Sequence, residues 1–281
     1  MNSVLQLVYT SHPNWPLGVS ESQPRESLRI SVLDSSFNPP TLAHLVLVNS
    51  HLPPEWNSHE TIDYDAKLLL FSVKNVDKAF KPGDASHSQR LEMMSLLTRR
   101  VTSANVAIAI TSEPTFVRKS EALLAFFNQK FSSSQTQPPP TIELTFLVGL
   151  DTLERLFSPR YYPSQADMRA SLHKFLSPCP EGDNSRVVSA MRIFTPIASQ
   201  ASVDTPSAAD LINHYLDSGR IAIVDIGKEL SAYSSSAVRS AIAQGGLTPT
   251  SETGPVWCNS VTAEIAKYIV EEQLYAAHSS P

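Results

Sequence analysis

The chain has 281 residues, a length that one α/β domain with inserted loops can reach. With 42% hydrophobic and 17% charged residues it holds material for a large core, and no apolar run approaches the roughly eighteen residues of a membrane span. A formal net charge of -5 argues against a general nucleic-acid binder but not against a nucleotide, which needs only a few local cations.

In chain order, residues 1–27 carry turn signals at Pro13, Pro16, Gly18 and Pro24 and read as an N-terminal extension. Met1–Thr10 has no basic stretch ahead of its short apolar run, which disfavours a secretory leader. Short β-branched runs then alternate with longer amphipathic segments, the pattern of a parallel sheet flanked by helices. The expected strands are Leu28–Leu33, Lys67–Val73, Val106–Thr111, Glu143–Val148, Arg186–Ala190 and Arg220–Val224. The expected helices are Leu42–Leu52, Ser86–Arg100, Phe116–Phe131, Asp151–Phe157, Ala208–Leu216, Ser235–Gln244 and Ser260–Gln273. Ser132–Pro140 is a low-complexity linker, and residues 160–185 and 195–207, rich in Pro, Ser and Ala, read as insertions. One α/β domain over residues 28–275, with a short tail at 276–281, is the simplest organisation. Cys179 and Cys258 are too few and too far apart for a disulfide framework or a metal site, so an intracellular protein of cytoplasm or nucleus is expected.

Three segments carry chemistry. Ser35-Ser36-Phe37-Asn38-Pro39-Pro40-Thr41-Leu42-Ala43-His44 leaves the first long strand and opens a helix, a turn that aims backbone N–H groups and a positive helix end at one point. Thr41 and His44, three residues apart, face the same helix mouth. Tyr233-Ser234-Ser235-Ser236-Ala237-Val238-Arg239-Ser240 also opens a helix after a strand. There Ser235 and Ser236 can cap, and Arg239 can stand beside an anion. In Phe146-Leu147-Val148-Gly149-Leu150-Asp151 a strand turns into a helix, placing Asp151 at the carboxyl edge of the sheet, where open α/β sheets bind ligands. Each string taken alone also fits an ordinary cap or turn. No G-x-S-x-G elbow, G-x-x-x-x-G-K-[ST] loop, C-x-x-C or G-x-G-x-x-G occurs among the nine glycines and two cysteines.

Ser35–His44 resembles the signature of the nucleotidyltransferase superfamily, in which a TxxH or HxGH motif follows a strand and a G-S-F-[ND]-P turn. Here Thr41 and His44 form the TxxH, and Ser35 stands where glycine is usual. Tyr233–Ser240 resembles the superfamily's I-S-S-T-x-x-R motif. Gly149–Leu153 is similar to the G-x-D-x-L of the nicotinamide or nicotinate mononucleotide adenylyltransferases. His87-Ser88-Gln89-Arg90-Leu91-Glu92-Met93 approximates their H-x-R helix. Tyr268–Tyr275 is similar to their Y-I-x-x-x-x-L-Y end. The likeness runs from about residue 28 to 275 and is nearest the fungal branch. The family's two ring-stacking tryptophans have no counterpart: one position falls near Ser112 and Glu113, the other at Tyr162, whereas the tryptophans here are Trp15, Trp56 and Trp257.

The resemblance implies a Rossmann-like nucleotidyltransferase fold and adenylyl transfer from ATP to a pyridine mononucleotide, giving NAD or its deamido form and pyrophosphate, with Mg²⁺ accompanying ATP. Implied ATP contacts are Ser36, Phe37, Thr41, His44, Gly149, Asp151, Ser235, Ser236 and Arg239, with His44 and Arg239 catalytic. Implied mononucleotide contacts are Ser36, Phe37, Lys78, Lys81, Tyr162 and Arg192; Lys78 and Lys81 follow the second of those strands and Arg192 follows the fifth. No nucleic-acid or membrane partner is expected. Two other readings stay open: an ATPase or other transferase of the superfamily, and a nucleotide-binding regulator without turnover.

Overall fold

The structure, a computed structural model, describes residues 4–18, 26–56, 63–73, 83–132, 139–191, 208–247 and 256–276. Its frame is a seven-stranded sheet of β1 (Leu5–Thr10), β2 (Ser27–Ser35), β3 (Ala66–Ser72), β4 (Val106–Thr111), β5 (Thr141–Gly149), β6 (Arg186–Ala190) and β7 (Ile221–Val224). The order across the sheet is β1-β4-β3-β2-β5-β6-β7, with β1 antiparallel to β4 and every other pair parallel.

Helices α1 (Leu42–Val48), α2 (His87–Thr98), α3 (Phe116–Ser132), α4 (Leu150–Leu156), α5 (Gln165–Leu176), α6 (Ala208–Asp217), α7 (Lys228–Ser231), α8 (Ser235–Gly245) and α9 (Ala263–Glu271) complete the described elements. β3 is buried along its whole length, Lys67 and Ser72 included, because both sheet faces are covered. On one face Ile30, Leu68, Leu144 and Phe146 meet Phe127 of α3 and Phe175 of α5. On the other, Leu33, Leu69, Leu147 and Val188 meet Met94 of α2, Val238 of α8 and Ile265 of α9.

The chain moves outward from β2 through β3 to β4, then returns to β5 on the opposite side of β2. The strand order therefore reverses between β2 and β5, and the turns leaving those two strands diverge to open a crevice at their carboxyl ends. That reversal is where doubly wound sheets take their ligands.

All six expected strands and all seven expected helices are present; β4 and β6 have the expected ends, and the others are shifted at one or both ends. Thr262 caps α9 by accepting the Ile265 N–H at 3.4 Å, so that helix begins later than Ser260. The extension at residues 1–27 supplies the edge strand β1, and its Trp15 is 1% exposed with its ring 5.7 Å from Phe127. Residues 160–185, expected as an insertion, contain α5, whose Met168, Leu172, Phe175 and Leu176 recur at helical spacing and are buried. Residues 133–138 of the linker and all of 195–207 lie outside the described residues.

Candidate active site

The site grows from the turn between β2 and α1. Phe37 takes a left-handed backbone conformation (φ 45°) and its fully buried ring lies 5.5 Å from that of His44, so the turn is anchored from beneath. His44 Nδ1 accepts the Thr41 backbone N–H at 3.0 Å and lies 2.8 Å from the Thr41 hydroxyl. A backbone N–H can only donate, so Nδ1 carries the lone pair and a neutral ring holds its proton on Nε2. Nε2 lies 3.0 Å from the Ser35 hydroxyl, at the mouth of the crevice. Thr41 is fully buried, with its hydroxyl against His44 and not among the cleft-lining residues.

The second helix mouth closes onto this turn. Ser234, rather than Ser235 or Ser236, caps α8 by accepting the Ala237 N–H at 3.1 Å. Its successors are thereby turned to other tasks: Ser235 donates to the Pro39 carbonyl at 2.8 Å, and Arg239 Nη1 donates to the Asn38 carbonyl at 2.6 Å. Arg239 Nη2 lies 3.4 Å from Ser236 Oγ, and Nε lies 3.5 Å from Asp84. The guanidinium fork thus links α8, the β2–α1 turn and the residue ahead of α2.

Asn38 is the joint of this assembly. Its Nδ2 donates to Asp84 at 2.8 Å, and its Oδ1 accepts from the Tyr275 hydroxyl at 2.9 Å and from Ala85 N–H at 3.3 Å. Arg90, from the H-x-R-like segment, donates from Nε to the Ala85 carbonyl at 2.8 Å. Burial lowers its pKa and the neighbouring Asp84 carboxylate raises it. Burial also pushes the Tyr275 phenol up, against the pull of Arg90 and Arg239.

A cleft of 380 Å³ opens at the β2/β5 reversal, lined among others by Ser36, His44, Gly149, Asp151, Ser235 and Ser236. Gly149 is the N-cap of α4, so Asp151 sits in the first helical turn and not at the cap. A Cβ built on Gly149 meets no protein atom within 4 Å, so a ligand can approach the backbone there.

Other expected residues fall elsewhere. Tyr162 donates to the Leu156 carbonyl at 2.8 Å and packs on the α3–α5 core, where burial pushes its phenol up to about 12; it is not among the cleft-lining residues. Trp15 and Trp257 are buried core residues. Lys78, Lys81 and Arg192 lie outside the described residues. One cleft residue had no signal in the sequence: Asp34, which accepts from Ser72 Oγ at 2.7 Å and from Lys119 Nζ at 2.5 Å, with Asp34 and Lys119 each 5% exposed. Their separation of 85 residues hides that pair until the chain folds.

Comparison with known proteins gives one relative in sequence and a consistent likeness in fold. No protein-family model matches the chain. A Schizosaccharomyces pombe protein named "Putative nicotinamide mononucleotide adenylyltransferase" is 34% identical over 148 residues, 53% of this chain and 49% of that protein. The match thus spans about half the length of the curated relative. Among solved structures, Plasmodium falciparum nicotinic acid mononucleotide adenylyltransferase complexed with NaAD is similar with a TM-score of 0.53 at 14% identity, covering 88% of this chain and 97% of that one. The same enzyme complexed with APC gives a TM-score of 0.51 at 13% identity, with coverage of 88% and 97%. At such identities the likeness is one of fold: the chain has the mixed α/β architecture of these nucleotidyltransferases.

Proposed function

We propose that the chain transfers the adenylyl group of ATP to nicotinamide or nicotinate mononucleotide, releasing pyrophosphate. The observation that carries this reading is the meeting of two helix mouths. His44 at the start of α1 and Arg239 in α8 are 195 positions apart in the chain, yet both are fastened to the single turn that holds Asn38. The sequence and fold likenesses to mononucleotide adenylyltransferases point the same way.

In this reaction a phosphate oxygen of the mononucleotide attacks the α-phosphorus of ATP. A new P–O bond forms, the bond to the bridging oxygen breaks, and pyrophosphate leaves with the electron pair. No covalent enzyme intermediate is required, so the residues position the nucleotides and stabilise charge. The His44 Nε2 proton donates to a non-bridging oxygen of the α-phosphate as negative charge gathers there. Ser235, Ser236 and Arg239 receive the departing pyrophosphate at the mouth of α8. Asp151 accepts ribose hydroxyls at the sheet edge. Lys78, Lys81 and Arg192 are proposed for the mononucleotide phosphate.

Mg²⁺ would accompany ATP and offset charge on its phosphates. Asp34 already serves Lys119 and Ser72, and no group of three or more His, Cys, Asp or Glu side chains among the described residues is arranged as a metal cage. Phosphate oxygens and water would supply most of its coordination.

The test is His44→Ala, assayed for pyrophosphate release with ATP and either mononucleotide. Loss of one such donor predicts a rate lower by on the order of 10²–10³ with the fold intact. A variant that worked at the parent rate would remove His44 from the mechanism.

A further inference from the structure

Ser35 stands where glycine is usual in the signature it resembles, and the fold gives its hydroxyl a defined direction. It is the last residue of β2, half-buried, and lines the cleft beside Ser36 and His44. Its backbone is strand, paired with Phe71 of β3, a conformation that carries a side chain without strain.

A serine oxygen has two lone pairs and one proton. The two groups that meet Ser35 Oγ are both donors. The Phe37 backbone N–H donates to it at 3.4 Å, and a backbone amide can do nothing else. His44 Nε2 lies 3.0 Å away and carries the ring proton, because Nδ1 is committed to accepting the Thr41 N–H. The rings of Phe37 and His44 pack 5.5 Å apart, which fixes both donors relative to the oxygen. With both lone pairs engaged, the Ser35 proton takes the remaining tetrahedral direction. Among the described residues no third group is hydrogen-bonded to Ser35 Oγ, and the open side of the residue is the cleft. Donation from Nε2–H into this oxygen also strengthens its own O–H as a donor.

We propose that Ser35 is a further catalytic residue of this site, donating its hydroxyl proton in a hydrogen bond to the α-phosphate that His44 also meets. The two act as a pair. Before ATP arrives, Ser35 accepts the Nε2–H and holds the imidazole at the mouth of the cleft. A phosphate oxygen is charged and accepts more strongly than a neutral hydroxyl, so it takes over the Nε2–H when ATP binds. The Ser35 O–H then donates beside it. The two donor atoms are 3.0 Å apart, close enough to serve one phosphate. Both hydrogen bonds strengthen as negative charge gathers on the α-phosphate oxygens. This inference rests on the adenylyl-transfer reading, to which it adds a donor and no new covalent step.

The test measures dinucleotide formation by the parent, Ser35→Ala and Ser35→Thr, with the unfolding midpoint of each. Ser35→Ala should lower kcat by about 10- to 100-fold while KM for ATP changes by less than about threefold. Ser35→Thr keeps the hydroxyl and should recover most of the rate; Ser35→Gly serves if alanine does not fold. Because the pair serves one phosphate, Ser35→Ala should cost much less in a His44→Ala background. ATP with sulfur in place of one non-bridging α-phosphate oxygen should slow the parent, since sulfur is a weak acceptor, and that penalty should shrink in Ser35→Ala. A merely structural serine would not move that ratio. Imidazole nitrogen NMR decides the pairing without turnover: the His44 Nε2–H resonance should shift in nucleotide-free Ser35→Ala, and in the parent when ATP is added. A parent that binds ATP but makes no dinucleotide refutes the transfer reading, and these resonances then decide the contact alone. Parent-like kcat in Ser35→Ala, equal losses in Ser35→Ala and Ser35→Thr, an unchanged sulfur penalty, or an Nε2–H resonance indifferent to Ser35 and to ATP overturns the proposal.

Discussion

Replacing Arg239 by methionine separates its two tasks. The substitution keeps most of the side-chain length and deletes the guanidinium, which donates to the Asn38 carbonyl at 2.6 Å and lies 3.5 Å from Asp84. A charge-assisted hydrogen bond contributes roughly 1.5–3 kcal/mol when desolvated. Because the side chain is 24% exposed, part of that is screened, leaving about 1 kcal/mol and a midpoint lower by roughly 2–4 °C. The effect on turnover is larger, because a charge facing developing phosphate charge is worth on the order of 10²–10³ in rate. Arg239→Lys keeps the charge but cannot span Asn38 and Ser236 with one nitrogen, so its activity falls between the two. The assay is pyrophosphate release against ATP concentration, paired with thermal unfolding of each variant. Parent-like kcat/KM in Arg239→Met, or a loss no greater than its unfolding explains, refutes the reasoning.

Thr41→Val removes the hydroxyl 2.8 Å from His44 Nδ1 but leaves the backbone N–H at 3.0 Å, so kcat should fall only about 3- to 10-fold in the same assay. Lys119→Met strands the Asp34 carboxylate in a site where both partners are 5% exposed; a loss of roughly 3–5 kcal/mol in urea unfolding is expected, largely restored in the Asp34→Leu/Lys119→Met double variant. Alkaline pH should weaken the fold. Burial raises the phenols of Tyr64, Tyr162 and Tyr275 above the ordinary value of 10.0. The unfolded chain then releases protons first, so this contribution is complete below pH 10 and is lost as pH rises toward the value of about 12 at Tyr162. Urea midpoints measured in steps from pH 9 to 12 should decline, and Tyr162→Phe should flatten part of the slope.

What the sequence reveals and what it hides follow from how local each signal is. β3 and β5 are legible because each holds an apolar run, Leu68–Phe71 and Phe146–Val148, and α8 because serine and arginine sit at one helix turn's spacing. Both helix mouths could be read for the same reason. β1 hides behind the prolines that follow it, since its burial depends on Thr111 and its neighbours a hundred residues away. α5 was readable in principle: Ser164 caps it and Met168, Leu172 and Phe175 mark one face, but the Pro- and Ser-rich flanks suggest a loop. Asn38, Asp84 and Tyr275 become one network only after α2 and α9 pack together, and no spacing in the chain announces it. Tyr162 aligns with a ring-stacking position, yet folding spends its phenol on the Leu156 carbonyl beneath the opposite face.

The central claim is a reaction, and its most direct measurement is the product. Purified chain supplied with ATP, Mg²⁺ and nicotinamide mononucleotide, or in a parallel vessel nicotinate mononucleotide, should yield a dinucleotide and pyrophosphate in equal amounts, identified by mass and by enzymatic pyrophosphate detection. Release of pyrophosphate or phosphate from ATP at the same rate without either mononucleotide, and no dinucleotide in the mixture, would contradict it.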